Sequence, residues 1–420
     1  MVNALHNSIL SGMRVVEVSA FVAAPSGGMT LAQMGAEVIR IDPPSGGLDA
    51  KRWPVKQYGK GQNFSLFWAG LNKHKKSVSI DFTKPEGKEL AQELITSPGK
   101  DSGILLTNMP PRGWLDFDKL KAKRADLIQL TVQGDRHGGS AVDYTLNPRL
   151  GLPYLTGPAN FDGAVNHVLP AWDLITGQMA ALGILAADRF RTRNGSGQHV
   201  KLPLEDVALA VMCNLGFVAE AEQGIERPRA GNDLFGAFGR DFLTKDGARV
   251  MVVGLTFKQW KNLVTACDLQ DKVDQLEEQL GKNFKLEGDR FESREDIAQL
   301  FSQVIAARSF AEIAALFEQH GVCWGKYQTV KEMVESDPSC STENPMFSKV
   351  EQPGFGTTLS PATPLNFETG RLNAEPAPVL GQHTESVLLD QLNLSSSELG
   401  RLVDAGLVMI GKRPVIPLSL

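Results

Sequence analysis

Residues 13–44, MRVVEVSAFVAAPSGGMTLAQMGAEVIRIDPP, decide the fold class. MRVVEVSA (13–20) has the apolar, β-branched texture of a buried strand. A small-residue loop, AAPSGG (23–28), leads into a helical stretch that ends near Gly35. AEVIRID (36–42) reads as a second strand, stopped by Pro43 and Pro44, which cannot continue a ladder. A strand, a helix and a strand in so short a span make a βαβ unit, whose two strands lie parallel.

Working outward, KKSVSIDF (75–82), GILLTN (103–108), LIQLTVQG (127–134) and HVKLPLED (199–206) read as further strands. Two of them are near-continuous apolar runs, as strands buried on both faces require. Between them Thr83 is expected to cap a helix with Pro85 near its start, and Asp173–Arg193 is one long helical pattern closed by Gly195–Gly197. The fold class is therefore α/β, with a Rossmann-like large domain over residues 1–204. No GxGxxG follows the first strand, so the dinucleotide fingerprint is missing. An apolar helix and polar linker occupy 205–227. A smaller α+β domain follows over 228–330, opening with a hairpin that turns at Lys245-Asp246-Gly247. Capping boxes start helices at Ser293, Ser309, Thr329 and Ser395. Residues 331–420 form a returning tail. Its 340–380 stretch is rich in turn residues and is expected to wrap across another domain or subunit rather than pack on itself.

The 420-residue length suits two to three domains. A net charge of −5 excludes a basic nucleic-acid footprint, and 42% apolar residues exclude a disordered chain. Cys213, Cys267, Cys323 and Cys340 are far apart, with no metal-site spacing, and suit a reducing compartment. The longest apolar run, around 208–219, is too short to cross a bilayer. The expectation is a soluble, cytoplasmic protein without membrane or nucleic-acid partners.

Asp173, in LPAWDLITGQ, stands before a helix of small and apolar residues. It is either a helix cap or a carboxylate nucleophile held as the anion by the helix N-terminus. GNDLFGAFG (231–239) puts Gly236 and Gly239 in a loop that is either an interdomain turn or a bare backbone for an oxyanion. Arg40, Lys73, Lys75, Lys76 and Arg112 fall near the C-terminal ends of strands, where α/β sheets bind ligands; cations there suit a phosphorylated one. No GxSxG or HExxH is present. Arg136, His137 and Arg240 are candidates, on charge and position, for holding a carboxylate.

These stretches, in this order, resemble the class III CoA-transferases, a family that also contains 2-methylacyl-CoA racemases. The likeness runs through residues 12–44, LNKHKKSVSIDFTKPEG (71–87), the Asp173 helix, RTRNGSGQHVKLPLEDV (191–207), RPRAGN (227–232), NPMF (344–347) and PAPVLGQHTESVL (376–388). The resemblance implies acyl-CoA and dicarboxylic acid substrates, with coenzyme A entering only as part of the substrate and no other cofactor or metal. It implies two interlocked monomers, with the small domain over the active site. Asp173 matches the nucleophilic aspartate, and the loop around Gly236 and Gly239 matches the glycine loop that closes over it. Phe21, Val22, Arg40, Leu71, Asn72, Lys75, Asn108 and Arg112 match CoA-contacting positions. Val142 stands where the racemases carry a histidine base, and Phe257 lies near the place of their glutamate, so racemisation is not expected. The longest particular likenesses, such as NHVLPAWDLITGQMAALG, are to the branch that moves CoA between two carboxyls of one unsaturated diacid. Transfer between two different acids is the alternative.

Overall fold

In the parallel sheet, runs of Val, Ile and Leu lose water on both faces, and the helices between them supply the two covering layers. The structure, a computed structural model, describes residues 8–58 and 62–411. It divides into two compact units. The first takes residues 1–150, 168–219 and 338–420, and the second takes 151–167 and 220–337.

In chain order the first unit holds β1 (Arg14–Val18), β2 (Glu37–Asp42), β3 (Val55–Tyr58), β4 (Gln62–Ser65), β5 (Lys76–Ile80), β6 (Ile104–Thr107), β7 (Ile128–Gln133) and β8 (His199–Pro203). The second holds β9 (Phe238–Leu243), β10 (Arg249–Gly254) and β11 (Cys323–Lys326), and the returning chain adds β12 (Phe347–Gln352), β13 (Gly356–Pro361) and β14 (Val408–Met409). The main sheet has seven strands in the order β14-β5-β2-β1-β6-β7-β8. All neighbours are parallel except β14, which runs antiparallel on the β5 edge. The order reverses between β1 and β6. That switch point leaves a crevice at the C-terminal ends of the two strands, the place where open α/β sheets hold ligands.

Alternate residues of the strands feed two cores. Val15, Val38, Ile104 and Leu106 pack under the helices Ala23–Gln33 and Ala171–Asn194. Val16, Ile39, Val78 and Leu105 pack under Pro85–Thr96, Phe117–Lys123 and the C-terminal helices. The second unit is a three-stranded antiparallel sheet, β11-β10-β9, packed against helices around Phe238, Trp260, Phe301 and Phe317. Its 151–167 segment is held by Arg229, whose guanidinium donates to the carbonyls of Pro153, Tyr154, Phe161 and Gly163.

Several local expectations are corrected. AAPSGG is not a loop: Ala23 begins the helix, so these residues are its first turns. Thr83 bonds Asp81 instead of capping the next helix, which starts after Lys84 with Pro85 at its first position. Ser293 makes no side-chain cap, whereas the boxes at Ser309, Thr329 and Ser395 all form. The 340–380 stretch does pack on itself, since β12 and β13 pair as an antiparallel hairpin. Gln352 at the end of β12 then exchanges two hydrogen bonds with the Ala377 backbone. Among the described residues no single helix is long and apolar enough to cross a membrane.

Candidate active site

Asp173 lies in the first turn of the Ala171–Asn194 helix, three residues past its Pro170 N-cap. It does not cap that helix. The cap comes from another carboxylate, the buried Asp143, which opens the helix Asp143–Arg149. Asp143 Oδ2 accepts from the backbone N–H of Trp172 at 2.8 Å and of Asp173 at 3.3 Å. Trp172 is fixed further by its indole N–H, which donates to Asn147 Oδ1. With the orphan N–H groups of the first turn satisfied this way, the Asp173 side chain is left over. Among the described residues no hydrogen bond or ion pair engages its carboxylate. Burial, and then the like charge of Asp143, push its pKa up to about 6. A desolvated carboxylate with no partner at a helix N-terminus is poised to attack a carbonyl carbon.

The Asp173 turn is pinned to the strand-β1 side of the switch point by glycines. A Cβ on Gly177 would lie 1.9 Å from Ser26 Oγ and 2.7 Å from the Ala23 carbonyl, and one on Gly27 would lie 2.7 Å from the Gly177 carbonyl. Only bare backbone lets these two helices approach so closely. Gly27 and Gly177 thus serve helix packing rather than a ligand loop.

At the switch point itself, Asn108 after β6 clamps Ala20 after β1. Its Oδ1 accepts from the Ala20 N–H at 3.0 Å and its Nδ2 donates to the Ala20 carbonyl at 2.7 Å. Phe21 follows with φ of +68°, its ring exposed, and Val22 turns inward as the N-cap of the next helix. Leu71 ends the helix Leu66–Leu71 and Asn72 is its C-cap.

Arg40 and Lys75 do not present free cations, which corrects the expectation of charges waiting for a phosphate. Both are buried. Arg40 donates to Asp42, Asp49 and Asn72 and lies near Glu17. Lys75 Nζ donates to Glu17, Asn72 Oδ1 and the Pro25 carbonyl. Burial pulls the Lys75 ammonium down to about 8, although Glu17 opposes it. Three carboxylates face two cations, so this cluster has no surplus positive charge for an anion. Lys76 pairs with Glu37, and Lys73, half-buried, donates to the Gly70 carbonyl with its pKa pulled down to about 8 by burial. Arg112 is exposed in the loop after β6, and among the described residues no ion pair engages it. Arg52 is a cation that sequence reasoning missed. It carries no motif signal, yet its guanidinium sits 6.0 Å from the Phe21 ring centroid and 5.1 Å from that of Phe67, again without an ion pair.

Arg136 and His137 form an exposed pair after β7. Arg240, in the second unit, is not available to hold a substrate carboxylate, because Asp233 and Glu295 take up its guanidinium. In the same unit Gly236 has φ of +82° with open space about its Cα. Among the described residues nothing accepts its N–H. Gly239 lies in β9, where a Cβ would come 2.8 Å from Leu234 Cβ, so packing requires a glycine there. Val142 is the exposed N-cap residue ahead of Asp143 and carries no group that moves a proton. Among the described residues no group of His, Cys, Asp or Glu side chains could hold a metal ion.

Comparison with known proteins identifies the family of the chain. The model of the family "CoA-transferase family III" matches residues 10–384. A 2-methylfumaryl-CoA isomerase of Chloroflexus aurantiacus is 57% identical over 95% of this chain and 98% of its own length. A succinyl-CoA–D-citramalate CoA-transferase of the same organism is 28% identical over 94% of this chain and 96% of its own. A solved CAIB/BAIF family protein from Brucella suis shares the fold, with a TM-score of 0.75 at 23% identity, over 92% of this chain and all of that one. The chain is a member of CoA-transferase family III, an enzyme class that acts on CoA thioesters.

Proposed function

We propose that this enzyme moves CoA between the C1 and C4 carboxyls of mesaconyl-CoA (2-methylfumaryl-CoA), through an aspartyl-CoA thioester on Asp173. The observation that carries the reading is the 57% identity, over 95% of the chain, to the Chloroflexus isomerase. The unpartnered, desolvated Asp173 carboxylate supports the covalent route.

Asp173 attacks the C1 thioester carbonyl, the C–S bond breaks, and CoA leaves as the thiolate, giving a mixed anhydride. The thiolate then attacks the aspartyl carbonyl of that anhydride and releases the C1 carboxylate. The C4 carboxylate of the same diacid attacks the aspartyl-CoA thioester and again expels the thiolate. Attack of the thiolate on the C4 carbonyl forms the product and restores the Asp173 carboxylate. The aspartyl-CoA thioester lies close in energy to the substrate thioester, as near-balanced transfer needs, and the mixed anhydrides are the high-energy species between them. The free Gly236 N–H, and that of Gly239, are the proposed donors to the tetrahedral oxyanions. Phe21, Val22, Leu71 and Asn108 would line the thioester's path at the switch point, Arg52 and Arg112 supply the free cations for its phosphates, and Arg40, Asn72 and Lys75 build the wall behind. An interlocked homodimer in the cytoplasm belongs to the same proposal; four unpaired cysteines suit that compartment.

A second reading has the chain transferring CoA from succinyl-CoA to mesaconate or itaconate. The 28% identical citramalate enzyme, named for transfer between two acids, favours it. Incubating mesaconyl-C1-CoA with excess isotopically labelled free mesaconate separates the two. Intramolecular transfer leaves the C4 product unlabelled, and label in the product at its pool fraction would establish exchange between molecules.

The acid limb of kcat/KM should fall near pH 6, because only the ionised Asp173 attacks. Asp143→Asn keeps an oxygen to cap the helix but removes the like charge. The limb should then move to lower pH, by about half a unit or more. A limb that stays in place would show that desolvation alone sets the Asp173 pKa.

A further inference from the structure

The buried ion cluster beneath the switch point reaches the Phe21 backbone through one carboxylate. Asp49 is fully buried in the turn after β2. Its Oδ1 accepts from Arg40 Nη2 at 2.9 Å and its Oδ2 accepts from the Phe21 N–H at 2.9 Å. Arg40 is itself held by Asp42 and Asn72, so Asp49 has little freedom to move. The turn also requires Gly47, where a Cβ would lie 2.5 Å from Asp42 Oδ1 and 3.1 Å from Asp49 Oδ1.

What Asp49 grips is a residue in an unfavourable state. Phe21 is bulky, not glycine, and holds φ of +68°. Left to itself its backbone would relax to negative φ and swing the exposed ring away. Ala20 before it is already locked by Asn108. The Asp49 turn holds the other side as well, because the Asp49 carbonyl accepts from the Arg52 N–H, and the Arg52 guanidinium lies over the Phe21 ring. One carboxylate thus sets the peptide, and its turn sets the cation, on one lip of the crevice.

We propose that Asp49 is a positioning residue for acyl-CoA, fixing Phe21 and, through its turn, Arg52 in the geometry that receives the thioester. The proposal rests on the reading of the switch-point crevice as the CoA site. It explains why a buried cluster with no surplus positive charge lies beneath a site for a polyanion: the cluster acts through backbone geometry, not through its own charge.

The test is a double-mutant comparison. Asp49→Asn cannot accept from both Arg40 and Phe21 without turning an NH2 toward one of them. It should raise KM for mesaconyl-CoA about tenfold and leave kcat within about twofold. Phe21→Gly lets the backbone take positive φ without strain, so on that background Asp49→Asn should raise KM by no more than about twofold. The same tenfold rise on both backgrounds would overturn the assignment, since Asp49 would then act without Phe21. If Asp49→Asn does not fold, Arg40→Lys loosens the same carboxylate from its other side, and the same pair of backgrounds decides. Direct titration of the wild-type protein with coenzyme A separates the two readings. Failure to bind it would overturn the CoA site itself and the role of Asp49 with it, whereas binding with equal losses on both backgrounds overturns the role of Asp49 alone.

Discussion

Asp173→Ala is expected to lower CoA transfer by about a thousandfold or more while leaving the protein folded, because it removes the group that forms the covalent intermediate. The related Asp173→Asn should be equally inactive and more stable than the wild type at neutral pH. The folded Asp173 has its pKa at about 6, above its ordinary value near 3.8. Between those values the folded chain binds more protons than the unfolded one, so stability falls as pH rises through that window. Above pH 6 the buried, unpartnered anion costs about 1–3 kcal/mol, and below pH 4 it costs nothing. Thermal unfolding of wild type and Asp173→Asn should therefore diverge above pH 6 and converge near pH 4. Borohydride or hydroxylamine trapping of an aspartyl-CoA should succeed in the wild type only. Near-normal transfer by Asp173→Ala would sink the nucleophile assignment.

The second large effect is expected at Gly177. Valine there would drive its Cβ into Ser26 Oγ and the Ala23 carbonyl, a backbone atom that cannot rotate away. The helices must separate, at about 3 kcal/mol or more, which lowers Tm by roughly 6–12 °C. Because Gly177 is one helical turn beyond Asp173, the same shift displaces the nucleophile. A misplacement near 1 Å lowers kcat/KM by about a hundredfold. Gly400→Ala makes the contrast: nothing lies within 4 Å of its added methyl and its helix gains propensity, so stability should hold or rise by up to about 1 kcal/mol. Equal Tm values for Gly177→Val and the wild type would show that the two helices are not in backbone contact.

The strands of the main sheet were legible because burial on both faces forces unbroken apolar runs, and GILLTN and LIQLTVQG announce themselves. The edge strand β14 was not legible, since two residues pairing with β5 leave no periodic trace. The hairpin of β12 and β13 hid because turn residues mask its alternation. Asp173 stood out by its place ahead of a helix, but its freedom depends on Asp143 taking over the cap from thirty residues upstream. Arg40 shows the reverse case. A cation at a strand end suggests a phosphate, and only the fold reveals the Asp42 and Asp49 carboxylates packed around it. AAPSGG misled because glycine and proline punctuate loops, yet they also open tightly packed helices.

The edge of β5 is sealed by residues made long after it. Ser77 and Ser79 donate their N–H groups to His383 and Thr384, and Ser77 is 306 residues from His383 in the chain. The first unit is therefore sewn shut by a segment that follows the second unit in sequence, while most of the second unit is one continuous stretch. At about 10 residues per second, the nascent β5 edge stands open for roughly half a minute before its cover leaves the ribosome. Over that interval the unpaired strand is a template for other chains. Most of the second unit is synthesised within that interval and has time to fold before the sheet's edge is covered.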